Sequence, residues 1–388
     1  MSKILKRFLE PTLPEAQSAF LWGPRKTGKT TLLRAVYPHS AVFDFLQTDL
    51  FLSCLKRPAL FRELVLALSD EERSLPIIVD EVQKIPAVLD EIHWLIENKR
   101  MSFMLCGSSA RKLKRGQANM LGGRAWRYEL FPLVSKELGT VDILRALNQG
   151  MIPAHYLAEP SAAKRYLKAY VQDYLTQEVF DEGLVRNMPA FSRFFDAVGY
   201  THGEMVNFAN IARDCGVDAK TVKEYYQILV DTLLGVMIEP YAKRQGRQVL
   251  TKTPKFYLFD TGVAGMLSKR SIAEERGREF GKAFEHFILM ELLAHRSYVE
   301  KDYRINYWRT KTGYEVDFIL GEGEVAIEVK SGGNVDKTEI AGLRTFVQEH
   351  APGKAFVVTT EQRRRHSDGI DLFPWQDFLQ DLWAGKVL

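Results

Sequence analysis

Residues 23–31, GPRKTGKTT, have the spacing G-x-x-x-x-G-K-T. These residue types match what a polyphosphate asks of a loop. Gly23 and Gly28 let the backbone turn tightly and bring N–H groups toward a β-phosphate. Lys29 supplies a mobile positive charge for the β- and γ-phosphates. Thr30 offers a hydroxyl to Mg²⁺. Thr31 begins the apolar-patterned helix that leads out of the loop, and the apolar run at 19–22 leads in. A helix N-terminus therefore faces the phosphates.

A second reactive pair, Asp80 and Glu81, ends the apolar run 75–79. Asp80 is suited to hold the Mg²⁺ water shell and Glu81 to polarise an attacking water. Together with the loop, the pair reads as a nucleoside triphosphatase, although these residues do not select adenine. Ser108 follows the apolar run 102–106, where a small polar side chain could sense a γ-phosphate; a plain strand-end turn explains it equally well. Segment 111–127 holds Arg111, Lys112, Lys114, Arg115, Arg124 and Arg127 without an acid. Arg124, mounted after Gly122 and Gly123, is a candidate arginine finger, in cis or across a subunit boundary. A solvated or DNA-facing loop is the alternative.

The last third carries another set. Glu285 lies in an apolar helix at 281–290, Asp317 in an alternating strand at 315–320, and Glu328 and Lys330 in the returning strand at 324–330. The strand period of two puts Glu328 and Lys330 on one face and Ile327 and Val329 on the other. Asp317 and Glu328 can hold one or two Mg²⁺ ions, with Glu285 as an outer acid, and Lys330 can orient a water. The spacing D-x(10)-E-x-K resembles the PD-(D/E)xK nuclease pattern, with Val316 where that pattern has proline. An amphipathic hairpin with a solvated charged face is the plainer alternative.

The elements that must position these groups follow from periodicity. Strands at 41–45, 75–79, 102–106 and 127–131 and a helix at 86–98 alternate, which implies a parallel sheet covered by helices. Residues 150–200 read as a helical connector with Tyr166, Tyr170 and Tyr174 on one face. Residues 207–259 resemble a winged helix. In it Asp218 caps a helix that buries Val222, Tyr226, Leu229 and Leu233 and turns Lys220, Thr221, Lys223 and Glu224 outward. Its wing carries Lys243, Arg244, Arg247, Lys252 and Lys255, a basic set suited to DNA phosphates, with a protein-contact module as the alternative. The fold class is α/β: a P-loop ATPase domain at 1–140, a helical and winged-helix middle at 141–270, and a restriction-endonuclease-like domain at 271–388.

Composition sets the outer bounds. A chain of 388 residues is too long for one core. With 46% hydrophobic and 26% charged residues it has the balance of a soluble globular protein. A net charge of +4 is too small to argue for nucleic acid by itself. Cys54, Cys106 and Cys215 are far apart without metal spacing and read as reduced thiols. No apolar run reaches membrane-span length and the N-terminus lacks a signal-peptide pattern, so a cytoplasmic protein without membrane contact is expected.

Nearly the whole chain resembles the bacterial and archaeal AAA-type ATPases that carry a C-terminal domain of unknown function related to PD-(D/E)xK nucleases. The resemblance rests on residues 23–31, 77–81, 106–109, Gly123 and Arg124, the helix-turn-helix, the run PKFYLFDTG at 254–262, and IEVK at 327–330. It implies ATP with Mg²⁺ as cofactors and a homo-oligomer, often a ring, completed by a neighbour's arginine. The expected function is an ATP-driven, DNA-acting motor or remodeller joined to a metal-dependent endonuclease, with branched or forked DNA as a plausible substrate. The alternative is a non-nucleolytic ATP switch whose C-terminal domain binds DNA or a protein. A phage-defence or toxin–antitoxin ATPase is a third reading.

Overall fold

The computed structural model describes residues 5–109, 121–175, 187–242 and 253–388. Their contacts group into two compact units, one of residues 1–132 with 231–234 and one of residues 133–230 with 235–388. The expected divisions at 141–270 and 271–388 thus fall within one unit by contact.

In the first unit, strands β1 (Ser18–Trp22), β2 (Val42–Asp44), β3 (Ile77–Asp80), β4 (Phe103–Gly107) and β5 (Ala125–Glu129) form a sheet in the order β2-β3-β4-β1-β5. All its pairings are parallel. β1, β3 and β4 are buried throughout, as continuous apolar runs covered on both faces should be, while β2 and β5 at the edges are half exposed. β5 starts two residues earlier than periodicity suggested, because its ladder pairs Ser18 with Ala125 and Trp22 with Glu129. Register also aligns the ends of the central strands: Trp22 stands beside Gly107, and Asp80 beside Cys106. The loops after β1, β3 and β4 therefore leave from one edge, where ligands of parallel sheets bind.

In the second unit, helices Phe208–Cys215 and Ala219–Asp231 are joined by a turn at Gly216, whose φ is 69°. Asp218 accepts the Thr221 N–H at 2.7 Å. Val222, Tyr226 and Leu229 are buried and Lys220, Lys223 and Glu224 exposed. The helix ends at Asp231, so Leu233 is not on its face; it lies past the end with a left-handed φ of 59°. An antiparallel pair follows, β6 (Gly235–Ile238) with β7 (Lys255–Leu258). Of the expected tyrosine stripe, the rings of Tyr166 and Tyr170 both lie against His155, with centroids 6.1 and 5.7 Å from it. Helix Pro160–Ala169 passes into a π-turn at Tyr170–Leu175, which resets the angular register; Tyr170 is buried and Tyr166 half exposed.

Strands β8 (Ile305–Arg309), β9 (Glu315–Leu320), β10 (Val325–Lys330), β11 (Lys354–Thr359), β12 (Arg365–Ser367) and β13 (Ile370–Pro374) form a mixed sheet ordered β12-β13-β11-β10-β9-β8. β8, β9 and β10 are an antiparallel meander, and β11 returns parallel to β10 after helix Ala341–His350. Helix Arg278–Tyr298 packs along β10.

Two polar clusters lock this unit. Asp260 caps helix Thr261–Leu267 by accepting the Val263 N–H at 3.0 Å, and its other oxygen accepts the Met151 N–H at 2.6 Å. Burial pushes this carboxyl up to about 6 despite those backbone donors. Leu258 donates its N–H to His202 Nδ1 at 3.1 Å, which leaves the His202 proton on Nε2, facing His286 Nδ1 at 3.1 Å. His286 Nε2 then reaches the Leu258 carbonyl at 2.6 Å. Both rings are held neutral by burial, His286 down to about 3. The histidine pair thereby fastens both backbone groups of Leu258 and fixes the end of β7. Asp260→Ala removes a cap and strands a buried N–H, and should cost about 2–3 kcal/mol in urea denaturation followed by tryptophan fluorescence.

Candidate functional site

The loop after β1 is shaped by close approach. A Cβ on Gly23 would collide with the Leu130 carbonyl oxygen, since the Leu130 N–H bonds the Trp22 carbonyl at 2.7 Å as the chain leaves β5. Gly28 has φ 96°, the left-handed region that favours glycine. Helix Lys29–Val36 begins there without a side-chain cap and without an acid in its first turn. Its first N–H groups are thus available to an anion, so the loop fits a phosphate. Lys29 is buried, and its Nζ donates to the Gly23 and Pro24 carbonyls at 2.8 and 3.0 Å. Thr31 is exposed on the helix.

Arg7 gave no signal in the sequence. Its buried guanidinium donates to the Thr27 carbonyl at 2.6 Å and to the Phe131 and Pro132 carbonyls at 2.8 and 3.2 Å. It clamps the loop to the chain that follows β5.

Thr30 Oγ1 donates to Asp80 Oδ2 at 2.5 Å, so hydroxyl and carboxylate share the position where Mg²⁺ would be held. Asp80 Oδ1 accepts the Glu81 N–H at 2.9 Å. Glu81 itself has φ 55°, an uncommon conformation for a non-glycine residue, and it turns the chain sharply off β3. Its carboxylate is held by Gln83, whose Nε2 donates to Glu81 Oε2 at 2.5 Å and lies 3.3 Å from Ser108 Oγ. Gln83 is buried and its Oε1 has no hydrogen-bond partner. One amide thus joins the residues after β3 to the residue after β4.

The register of β5 decides against Arg124 as a finger in cis. It precedes Ala125, which pairs with the start of β1, whereas the phosphate loop follows the end of β1, about 13 Å away along the strand. Arg124 pairs instead with Glu97 on helix Val88–Lys99. Arg111, Lys112, Lys114 and Arg115 lie outside the described residues, as do Lys243, Arg244, Arg247 and Lys252 of the expected wing.

In the C-terminal sheet, the β9–β10 ladder runs to Phe318 and Ile327, and one step on the Asp317 carboxylate accepts the Val329 N–H at 2.7 Å. Glu328 Oε1 pairs with Lys330 Nζ at 2.6 Å, while Glu328 Oε2 is buried without a partner. Burial and the neighbouring Glu328 hold Asp317 well above the usual carboxylate range. Burial raises Glu328 to about 7 against the pull of Lys330.

Lys255 does not belong to a solvent-facing basic wing. It is 5% exposed, and its Nζ lies 2.5 Å from Glu315 Oε1, 3.6 Å from Glu285 Oε1 and 5.3 Å from the centre of the Tyr307 ring. Burial alone would depress this ammonium; Tyr257, Glu285, Glu315 and Asp317 hold it well above the ordinary lysine value. Tyr257 donates its hydroxyl to Glu285 Oε1 at 2.5 Å. Glu285 is therefore engaged by β7 and is not open as the outer metal ligand expected of it. Among the described residues no three His, Cys, Asp or Glu side chains converge at metal-ligand spacing. Asp317 and Glu328, with the orphaned oxygen, are the pair that fits a cation. The two-residue alternation of Lys255 and Tyr257 was the available signal; their basic surroundings in the sequence obscured it.

Comparison with known proteins places these sites in context. A family profile described as an AAA domain matches residues 15–139. Two domains of unknown function match 141–274 (DUF8612) and 280–378 (DUF4143). Uncharacterized proteins of Mycobacterium tuberculosis and Mycobacterium bovis are each 28% identical over 320 residues, covering 80% of this chain and 69% of theirs. One of Methanocaldococcus jannaschii is 22% identical over 360 residues, covering 84% of this chain and 78% of its own. Among solved structures, AMPPCP-bound DnaA from Aquifex aeolicus is similar at 12% identity and a TM-score of 0.27, covering 55% of this chain and 81% of that one. A signal transduction ATPase with numerous domains from Pyrococcus horikoshii is similar at 14% identity and a TM-score of 0.19, covering 73% and 47%. The profile match and the loop geometry make the N-terminal part an AAA-type ATPase domain. No helix among the described residues is long and apolar enough to cross a membrane.

Gln83→Leu should lower ATP hydrolysis about ten- to a hundred-fold by releasing Glu81, with nucleotide affinity little changed. Steady-state hydrolysis beside fluorescent-nucleotide titration separates the two.

Proposed function

We propose that this ATPase acts on DNA and that its C-terminal sheet is a divalent-metal-dependent nuclease site. The observation that carries the reading is the single face on which β9 and β10 set Asp317, Glu328 and Lys330, with one buried carboxylate oxygen unpaired. The order of that region supports it: a long helix, a three-stranded meander, a helix and a parallel strand, the framework of PD-(D/E)xK nucleases. The helix pair with β6 and β7 is read as a winged helix, and the domains as 1–140, 141–270 and 271–388.

In the ATPase site, Gly23, Gly28, Lys29, Thr30 and Thr31 would hold the phosphates, and Thr30 with Asp80 would hold Mg²⁺. The ion supplies charge compensation on the transferring phosphoryl group. Glu81 draws a proton from the attacking water, Gln83 keeps its carboxylate in place, and Ser108 reads the terminal phosphate through the same amide. Arg124 serves, in this reading, a neighbouring copy in a homo-oligomer. In the nuclease site, Asp317 and Glu328 would hold the divalent ion, which offsets charge at the scissile phosphate. Lys330 orients the water. The DNA substrate includes branched and forked forms.

A second reading is a switch that binds DNA or a protein without cutting. It is favoured by Lys255, which already neutralises part of the carboxylate cluster.

Glu81→Gln should retain ATP and slow its hydrolysis by about 10²–10⁴-fold. Wild-type turnover in that variant would remove Glu81 from the proton-transfer role. With Mn²⁺ and single-stranded, duplex, forked and four-way DNA, the wild type should cut at least one form. Asp317→Ala should abolish cleavage and leave ATP hydrolysis intact. Absence of cleavage on every form by the wild type would overturn the nuclease reading and favour the switch.

A further inference from the structure

The C-terminal carboxylate cluster has two unlike halves. In one, Glu285 and Glu315 are satisfied by residues of the chain. Lys255 Nζ stands within 3.6 Å of both, Tyr257 donates to Glu285 Oε1, and Arg309 Nη1 pairs with Glu315 Oε2 at 2.8 Å. In the other, Asp317 takes a backbone N–H and Glu328 shares Lys330 through one oxygen only, its second oxygen being buried without a partner. Four carboxylates thus face three cationic groups. The carboxyl groups with the least cationic compensation from the chain are those of Asp317 and Glu328.

A lysine in this place is a matter of backbone geometry. β7 presents Lys255 and Tyr257 on the same side, two residues apart, and the histidine pair holds the strand end at Leu258. An ammonium stands about 2.7–2.9 Å from the carboxylate oxygens it contacts, a few tenths of an ångström farther than Ca²⁺ and about 0.7 Å farther than Mg²⁺, but between the same oxygens. It therefore fills the space such an ion would need, and its charge repels one placed beside it.

We propose that Lys255 is a built-in cation of this site: it stands where a second divalent ion would bind Glu285 and Glu315, and it limits the site to one ion, held by Asp317 and Glu328. The inference rests on the reading of this face as a cation site. It goes beyond that reading by setting the number of ions and by making the β6–β7 pair part of the site.

The test uses the full-length chain without nucleotide, stripped of metal, in Mn²⁺ titrations by calorimetry and in thermal melts with and without Mn²⁺. The wild type should bind one Mn²⁺ that Asp317→Asn abolishes, a comparison that removes any weak binding at Asp80. Lys255→Met removes the ammonium shared by two partly buried carboxylates and leaves them only Tyr257 and Arg309 as partners, so without metal it should melt roughly 10 °C lower. Mn²⁺ should restore most of that loss, and the variant should bind a second ion. Lys255→Arg should behave as the wild type. A Lys255→Met protein that is destabilised, unrescued by Mn²⁺ and unchanged in stoichiometry would make the lysine a structural ion pair and overturn the proposal. If Lys255→Met does not fold, Tyr257→Phe decides: it loosens Glu285 but keeps the ammonium, so it should still bind one ion, and a second ion there would overturn the role of Lys255. A wild type that binds no Mn²⁺ beside a Lys255→Met protein that gains an ion would remove the one-ion reading of Asp317 and Glu328 while supporting the lysine as the excluding charge. No binding in either protein would overturn both.

Discussion

A carboxylate taken out of water must find donors or a cation, and much of this chain is arranged around meeting that demand. Asp80 is met by the Thr30 hydroxyl and the Glu81 N–H, Asp260 by the N–H groups of Val263 and Met151. Glu291 is met by Ser135 through both backbone and side chain and by Trp383 Nε1. In each case at least one donor comes from a segment distant in sequence. The acids therefore act as ties between elements as well as sites of chemistry. Where the demand is only half met, at Glu328, the structure leaves an oxygen suited to an ion.

Strand register converts these local ties into sites. In the N-terminal sheet, the central strands end level with one another, which brings the phosphate loop, Asp80 and Ser108 to one edge. Gln83 then spans from Glu81 to Ser108 across that edge. The same register sends Arg124 to the opposite end of β1, which separates the chemistry of the loop from the surface that carries the arginine. In the C-terminal sheet, pairing of Ile327 with Phe318 sets Glu328 next to Asp317, and the pleat carries Lys330 onto the same face. Lys255 enters from a different sheet altogether, so no ladder within β8–β13 predicts it.

Several features were legible in the residues alone because they are short-range. The spacing of Gly23, Gly28, Lys29 and Thr30 is the geometry of one loop. The apolar runs before Asp80 and Ser108 announce buried parallel strands, and the period of two in 324–330 assigns faces to Glu328 and Lys330. The profile match to an AAA domain accords with the first of these readings. Tertiary structure decided what depends on contacts across long separations. Arg7 reaches the Thr27 carbonyl and the chain after β5, contacts with no periodic trace in the sequence. Lys255 lay in a basic stretch and read as a phosphate contact. Only the docking of β7 against helix Arg278–Tyr298 and β9 showed that its charge is spent on Glu285 and Glu315. The physical reason is the same in both cases: a side chain's charge is set by its own residue type, but the partner that neutralises it is chosen by packing.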